Sequence, residues 1–261
     1  MQESRIASPR GELHAVCWSP EIGAAPRSPI VLMHDSLGCV ALWRDFPERL
    51  ARTTGRAVIA YDRLGYGRSD PFPGRQPTSF IADEAERDFA AVRARLGLER
   101  CVLLGHSVGG CMAVASAGYH PEACEALVTV AAQAFTEART LAGIRDAERA
   151  FDAPGGLSRL EKYHGDKAAW VLRSWVETWH SEAFRDWRLD DALAAVHCPT
   201  LAIHGERDEY GSRAQPERIA ALTPGPAAPH LLPDCGHVPH RECPERLIAA
   251  VEGFLAEPPG R

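Results

Sequence analysis

Residues 103–111 read LLGHSVGGC: an apolar run ends on a serine, Ser107, with Gly105 two positions before it and Gly109 two after. The run before it, CVLLGH, reads as a buried strand, and VGGCMAVASAGYH after it is compatible with a helix until the His-Pro pair. A serine at such a strand-to-helix junction is pushed into a sparsely allowed backbone conformation. Side chains two positions away would collide with the adjoining strand and helix, so G-x-S-x-G is what the turn demands. The serine then sits at a helix N-terminus, where amides and dipole favour a developing negative charge. A serine-capped, glycine-rich turn or a phosphate loop is the bland alternative. No G-K-[ST] follows, which removes the P-loop.

Working outward, short β-branched-rich runs recur at PIVLMHD (29–35), AVIAYD (57–62), ALVTVAA (126–132) and PTLAIHG (199–205). Near-continuous hydrophobic runs of this length predict parallel strands covered on both faces. WRDFPERLARTT and FIADEAERDFAAVRARLGL carry apolar residues at helical spacing, the second closing on Gly97 as a C-cap. RIASPRGELHAVCWSP predicts an antiparallel pair turning at SPRG. Strand-helix alternation predicts an α/β class, doubly wound, mostly parallel sheet. Residues 133–195 break the rhythm: they are helical in character and hold Trp170, Trp175, Trp179 and Trp187. A crossover needs only about a dozen residues, so this stretch is expected to be a helical lid (cap). It would be inserted into a core of residues 1–132 and 196–261, over the sheet edge where ligands bind. TPGPAAP (223–229) reads as a loop and EPPGR as a frayed end.

Composition narrows the function. The chain has 261 residues, 45% hydrophobic and 25% charged, with a net charge of −6. That balance fits a globular domain and disfavours nucleic acid or an anionic membrane as partner. A small-molecule substrate, no nucleic acid, no membrane, and a monomer or homodimer are expected. Cys17, Cys39, Cys101, Cys111, Cys124, Cys198, Cys235 and Cys243 form no C-x-x-C pair, and several lie in apolar runs. They predict buried, reduced thiols rather than a disulfide framework or a metal site. The N-terminal MQESRIASPRG has no apolar signal segment. A cytoplasmic protein without cofactor or metal is the expectation.

A serine needs a general base held by a carboxylate. Among eleven histidines, His237 follows the strand-like PHLLP and a glycine and precedes a C-terminal helix, which aims it at Ser107. His240 is the close competitor. In LAIHGERDEYGS a buried strand breaks at Gly205 and delivers Glu206, Asp208 and Glu209 to the same edge. Asp208 is the candidate acid, because a short carboxylate leaving a strand end reaches an imidazole rigidly; Glu206 and Glu209 read as solvated. The chain order is Ser, Asp, His. Amides of Ser36, in the loop after PIVLMHD, and of Val108 are the candidate oxyanion donors. Asp35, His106, Trp175 and Trp179 are candidate substrate contacts. Trp175 and Trp179 lie four apart on one helix face, so they line a pocket together or pack together.

With these residues in place, the chain resembles the α/β-hydrolase superfamily, in particular its small, lid-bearing esterase and C–C hydrolase branch. LMHDSLGC, YDRLGYGRSD, LLGHSVGG, LAIHGERDEYG and DCGHVPHRECPERL run in family order and cover nearly all of the chain outside the lid. The resemblance implies Ser107 as nucleophile, Asp208 as acid and His237 as base, in acyl transfer to water. Esterase, thioesterase and C–C bond hydrolase differ only in the leaving group. A triad-retaining small-molecule receptor and a lyase are the readings from other classes. One departure stands out: the His-Gly before the oxyanion residue is His34-Asp35 here, and a carboxylate there opposes a developing oxyanion unless it points elsewhere.

Overall fold

A run such as IVLM offers water no polar side chain on either face, and such runs become the middle of the sheet. The computed structural model describes residues 1–20 and 27–257, so the expected frayed end falls mostly outside the described residues. The strands are β1 (Gln2–Ser8), β2 (Gly11–Trp18), β3 (Ile30–Met33), β4 (Val58–Tyr61), β5 (Cys101–His106), β6 (Cys124–Val130), β7 (Thr200–Gly205) and β8 (Ala227–Leu232). They form one eight-stranded sheet in the order β1-β2-β4-β3-β5-β6-β7-β8. From β4 onward neighbours are parallel, while β1 pairs antiparallel with β2, and β2 with β4.

Helices cover both faces: α1 (Phe46–Thr54), α2 (Phe80–Asp83), α3 (Phe89–Leu96), α4 (Val108–Tyr119), α5 (Ala138–Asp152), α6 (Ser158–His164), α7 (Ala168–Trp179), α8 (Glu182–Arg185), α9 (Asp190–Leu193), α10 (Ala214–Leu222), α11 (Pro239–Glu242) and α12 (Pro244–Ala256). Alternation along each strand divides the core in two. Ile30, Leu32, Val58 and Ala60 pack with Phe46 and Leu50 of α1 and Leu247 and Val251 of α12. Val31, Met33, Ile59 and Tyr61 face the other way, onto Val92 of α3 and Met112 of α4. This is the alpha/beta hydrolase fold, an α/β architecture as the strand-helix alternation predicts. Helices α5 to α9 fill the chain between β6 and β7, and their Trp175, Trp179 and Phe184 join the core on the α4 side.

The strand order places the site. After β3 the chain turns to one side, to β4, and later returns to the other side of β3 as β5. The loops leaving β3 and β5 therefore diverge, and a crevice opens between them at the strands' carboxyl ends. Asp35 and Ser36 follow β3; Ser107 follows β5. No helix among the described residues is long and apolar enough to cross a membrane.

The loop expected over TPGPAAP (223–229) is shorter than that, since β8 already begins at Ala227, and two larger expectations need correction. The single helix predicted over FIADEAERDFAAVRARLGL is interrupted by a π-turn at Glu84–Asp88 between α2 and α3. The wider turn places both Glu84 and Asp88 inward. There the Tyr61 hydroxyl donates to Glu84 at 2.7 Å and Arg10 pairs with Asp88. The helix still ends on Gly97, left-handed at φ 63°. Second, the cysteines are not all reduced: Cys235 and Cys243 form a disulfide across eight positions. Nothing in their spacing resembles a metal or redox motif; it is the return of the chain from the end of β8 through α11 that brings them together.

Candidate active site

Ser107 has φ 55° and ψ −126°, a conformation that L-residues rarely adopt. It is held there by its neighbours. Its N–H donates to the Val130 carbonyl and its own carbonyl accepts from Gly110, both at 2.8 Å. A Cβ on Gly105 would run into the Gly109 carbonyl, and one on Gly109 into the Met33 carbonyl. The two glycines thus let β3, β5 and α4 meet with the serine at the apex.

The Ser107 hydroxyl lies 3.1 Å from His237 Nε2. On its other side, His237 Nδ1 is 2.8 Å and 3.0 Å from the two Asp208 carboxylate oxygens, so the imidazole carries a proton on Nδ1 and turns Nε2 toward the hydroxyl. Tyr210 and Gly211 donate their amides to Asp208 at 2.7 Å and 3.1 Å, and His204 Nε2 lies 3.0 Å from it. Burial would raise the Asp208 carboxyl, but the His204 and His237 imidazoles outweigh it and hold it well below the usual carboxylate range. Asp208 is buried, whereas Glu206 and Glu209 are exposed.

The loop bearing His237 is fixed from several directions. The Cys235–Cys243 disulfide closes it. Glu242 accepts the amides of Gly236 and Val238 at 2.6 Å and 2.8 Å, and the Arg207 amide donates to the Cys235 carbonyl. His240, the competing base, packs against Trp43 with ring centroids 4.6 Å apart, and burial keeps it well below the ordinary histidine range. The structure brings His237, not His240, to Ser107.

In the loop after β3, Asp35 does not aim freely at the nucleophile. One carboxylate oxygen accepts the Leu37 amide at 2.8 Å and the other lies 3.2 Å from His106 Nδ1. Ser36 lines the same cavity, and Val108 opens α4 directly after the serine. His34 is a framework residue: its Nδ1–H donates to the Asp35 carbonyl and its Nε2 accepts the Arg63 amide. Burial and the Arg63 charge drop it to about 3, so it stays neutral.

A cavity of about 480 Å³ opens over Ser107. Trp175 and Trp179 both line it while remaining mostly buried in the core, so the choice between pocket and packing was a false one. Sequence reasoning missed Tyr210, whose ring lies tilted against that of His237 with centroids 4.6 Å apart; its position two residues after Asp208 was a usable signal. Arg44, Arg159 and Arg241 also line the cavity, and nothing in the sequence marks them, because they come from three distant segments.

A sequence model described as the alpha/beta hydrolase fold matches residues 28–155, the stretch from β3 through α5 with the serine turn inside it. The chain belongs to the alpha/beta hydrolase superfamily. This hydrolase is 24% identical over 270 residues to the proline iminopeptidase of Lactobacillus helveticus (strain DPC 4571), covering 88% of this chain and 90% of that one. Among solved structures it superposes on a thermophilic esterase from Thermogutta terrifontis with a TM-score of 0.75 at 24% identity, covering 98% and 99% of the two chains. It also superposes on the enol-lactonase from Burkholderia xenovorans LB400 with a TM-score of 0.74 at 21% identity, covering 97% and 100%. The hydrolase fold is shared throughout, while the bond cleaved differs among these proteins.

Proposed function

We propose that this hydrolase cleaves a small carboxylic ester through an acyl-enzyme on Ser107. The observation that carries the reading is the unbroken chain from Ser107 Oγ through His237 to Asp208, at 3.1 Å and 2.8 Å, beneath the cavity lined by Trp175 and Trp179. His237 takes the serine proton as Oγ attacks the carbonyl carbon, and Asp208 stabilises the imidazolium that forms. The amides of Ser36 and Val108 hold the oxyanion. As the tetrahedral intermediate collapses, His237 protonates the departing alcohol. Water then attacks the acyl-enzyme by the same route, releasing the acid and restoring the serine.

Residues 133–195 act as a lid: Ile144, Leu160, Tyr163, Trp175 and Trp179 make an apolar ceiling for an acyl or aromatic group. The relatives include an aminopeptidase, and the charges around the cavity bear on that choice. Recognition of a free ammonium needs an unspent acid near the nucleophile, yet Asp35 is engaged with His106. Arg44, Arg159 and Arg241 line the cavity and pair with no acid among the described residues, leaving Glu209 as the exposed acid. This balance favours a neutral or anionic ester over a substrate with a charged N-terminus.

The test compares p-nitrophenyl butyrate with proline p-nitroanilide. The ester is expected to lead in kcat/KM by more than about 100-fold. Because the anilide is intrinsically the less reactive compound, comparable turnover of the two would overturn the ester reading in favour of a peptidase.

A further inference from the structure

The carboxylate of Asp35 stands one residue from the Ser36 amide, on the rim of the cavity, where an unbalanced negative charge would oppose the oxyanion. Its partner is His106, the residue before the nucleophile, which is buried. His106 Nε2 lies 2.7 Å from the backbone carbonyl of His237. A carbonyl can only accept, so Nε2 carries a hydrogen. His106 Nδ1 faces Asp35 Oδ2 at 3.2 Å, where a bare lone pair would meet another acceptor unless a proton lies between them. The other Asp35 oxygen accepts the Leu37 amide, and the side chain keeps 28% of its surface open to the cavity, both of which favour the ionised carboxylate.

We propose that His106 is a standing imidazolium that donates to Asp35 from Nδ1 and to the His237 carbonyl from Nε2, cancelling the charge beside the oxyanion hole and tying the loop after β3 to the loop that carries the base. His106 is thus a positioning residue: it acts through the Asp35 carboxylate and the His237 loop rather than on the reacting atoms. The inference rests on the reading of Ser107, His237 and Asp208 as the catalytic groups. The groups facing the His106 ring are consistent with it. Asp35 comes from the loop after β3, and Asp208 adds a second negative charge from the loop after β7. His237 and His240 lie on the third side with ring centroids 5.2 Å and 4.8 Å away, and Trp43 presents an uncharged edge. Burial alone would lower His106; the Asp35 carboxylate outweighs it and raises the group, while the same contact holds Asp35 far below the usual carboxylate range despite its partial burial.

The direction of the pH effect follows. Above its raised midpoint His106 loses the Nδ1 proton and leaves Asp35 uncompensated, so ester turnover falls on the alkaline side. Asp35→Asn removes the charge that needed cancelling, and its alkaline fall disappears. His106→Gln keeps a donor for the His237 carbonyl but strands the Asp35 charge; kcat is expected to drop about 100-fold, the scale of one lost oxyanion donor. Adding Asp35→Asn to His106→Gln should recover at least about tenfold of that loss, which a purely structural defect at His106 would not allow.

The direct test reads the ring itself: two-bond ¹H–¹⁵N correlation spectra of the wild type and of Asp35→Asn at pH 8, with the Ser107→Ala background as a control. Both His106 nitrogens protonated in the wild type, and a neutral ring in Asp35→Asn, is the expected result. A neutral His106 in the wild type, or a double variant no more active than His106→Gln, would overturn the proposal. The spectra need no substrate, so an idle serine would sink the ester reading while the charge state of His106 is still read on its own.

Discussion

A serine hydroxyl attacks nothing until its proton has somewhere to go, and in the proposed mechanism three residues from three strand ends provide the path. Ser107→Ala is expected to lower kcat by about 10⁴ or more while leaving the melting temperature within a few degrees, since among the described residues the hydroxyl's one hydrogen-bond partner is the His237 ring. His240→Ala should keep most activity, measured as kcat on the same ester, because its ring packs on Trp43 and Phe46 and stays off the serine. A His240 variant as dead as His237→Ala would mean that the base is misassigned. The meeting of Ser107, His237 and Asp208 was legible in the sequence because each follows an apolar run at the same sheet edge. The cation of His106 was not legible. A histidine between Gly105 and Ser107 says nothing of its protonation until the His237 carbonyl and Asp35 are seen on its two nitrogens.

The elements themselves follow from local patterning. Runs of β-branched residues gave strands within a residue or two of their expected bounds, and CVLLGH is β5 to the residue. The helix before it departed from periodicity, because a π-turn at Glu84–Asp88 answers to a tertiary demand, two buried acids beside Tyr61 and Arg10, that no helical spacing encodes. Burial, with the nearby charge of Asp88, pushes Glu84 up to about 7. An acid whose folded midpoint exceeds its unfolded one near 4.5 is protonated longer in the native state, so it costs stability as pH rises between those values. His34, buried and neutral, works the other way over the lower part of that range. The comparison is therefore made between variant and wild type: Glu84→Gln should gain stability relative to the wild type from pH 5 to pH 8, by up to about 3 kcal/mol, read from urea midpoints. A difference that does not grow with pH would contradict the charge state assigned to Glu84. The Cys235–Cys243 bond shows the same limit on sequence reading: apolar surroundings and absent motifs argued for reduced thiols, and only the path of the chain after β8 pairs them.

At the scale of the whole molecule, the doubly wound sheet decides where chemistry can occur. The change of direction at β3 opens one crevice, and the loops after β3, β5, β7 and β8 bring Ser36, Ser107, Asp208 and His237 to it, the groups to which the proposed mechanism gives the roles of oxyanion donor, nucleophile, acid and base. Fold and candidate site were legible from the segments of the chain that lie on that edge. The cavity's ceiling was not, because helices α5 to α9 meet the core through contacts whose register no local pattern specifies. The substrate is written in that ceiling and in the arginines around it. The most direct measurement is the intact mass of the protein after a fluorophosphonate, with the adduct mapped to its peptide, run beside turnover of p-nitrophenyl butyrate. One adduct, on Ser107, together with many turnovers per enzyme is the predicted result. No adduct, or an adduct elsewhere while the ester is still turned over, would contradict a nucleophilic Ser107 and the mechanism built on it.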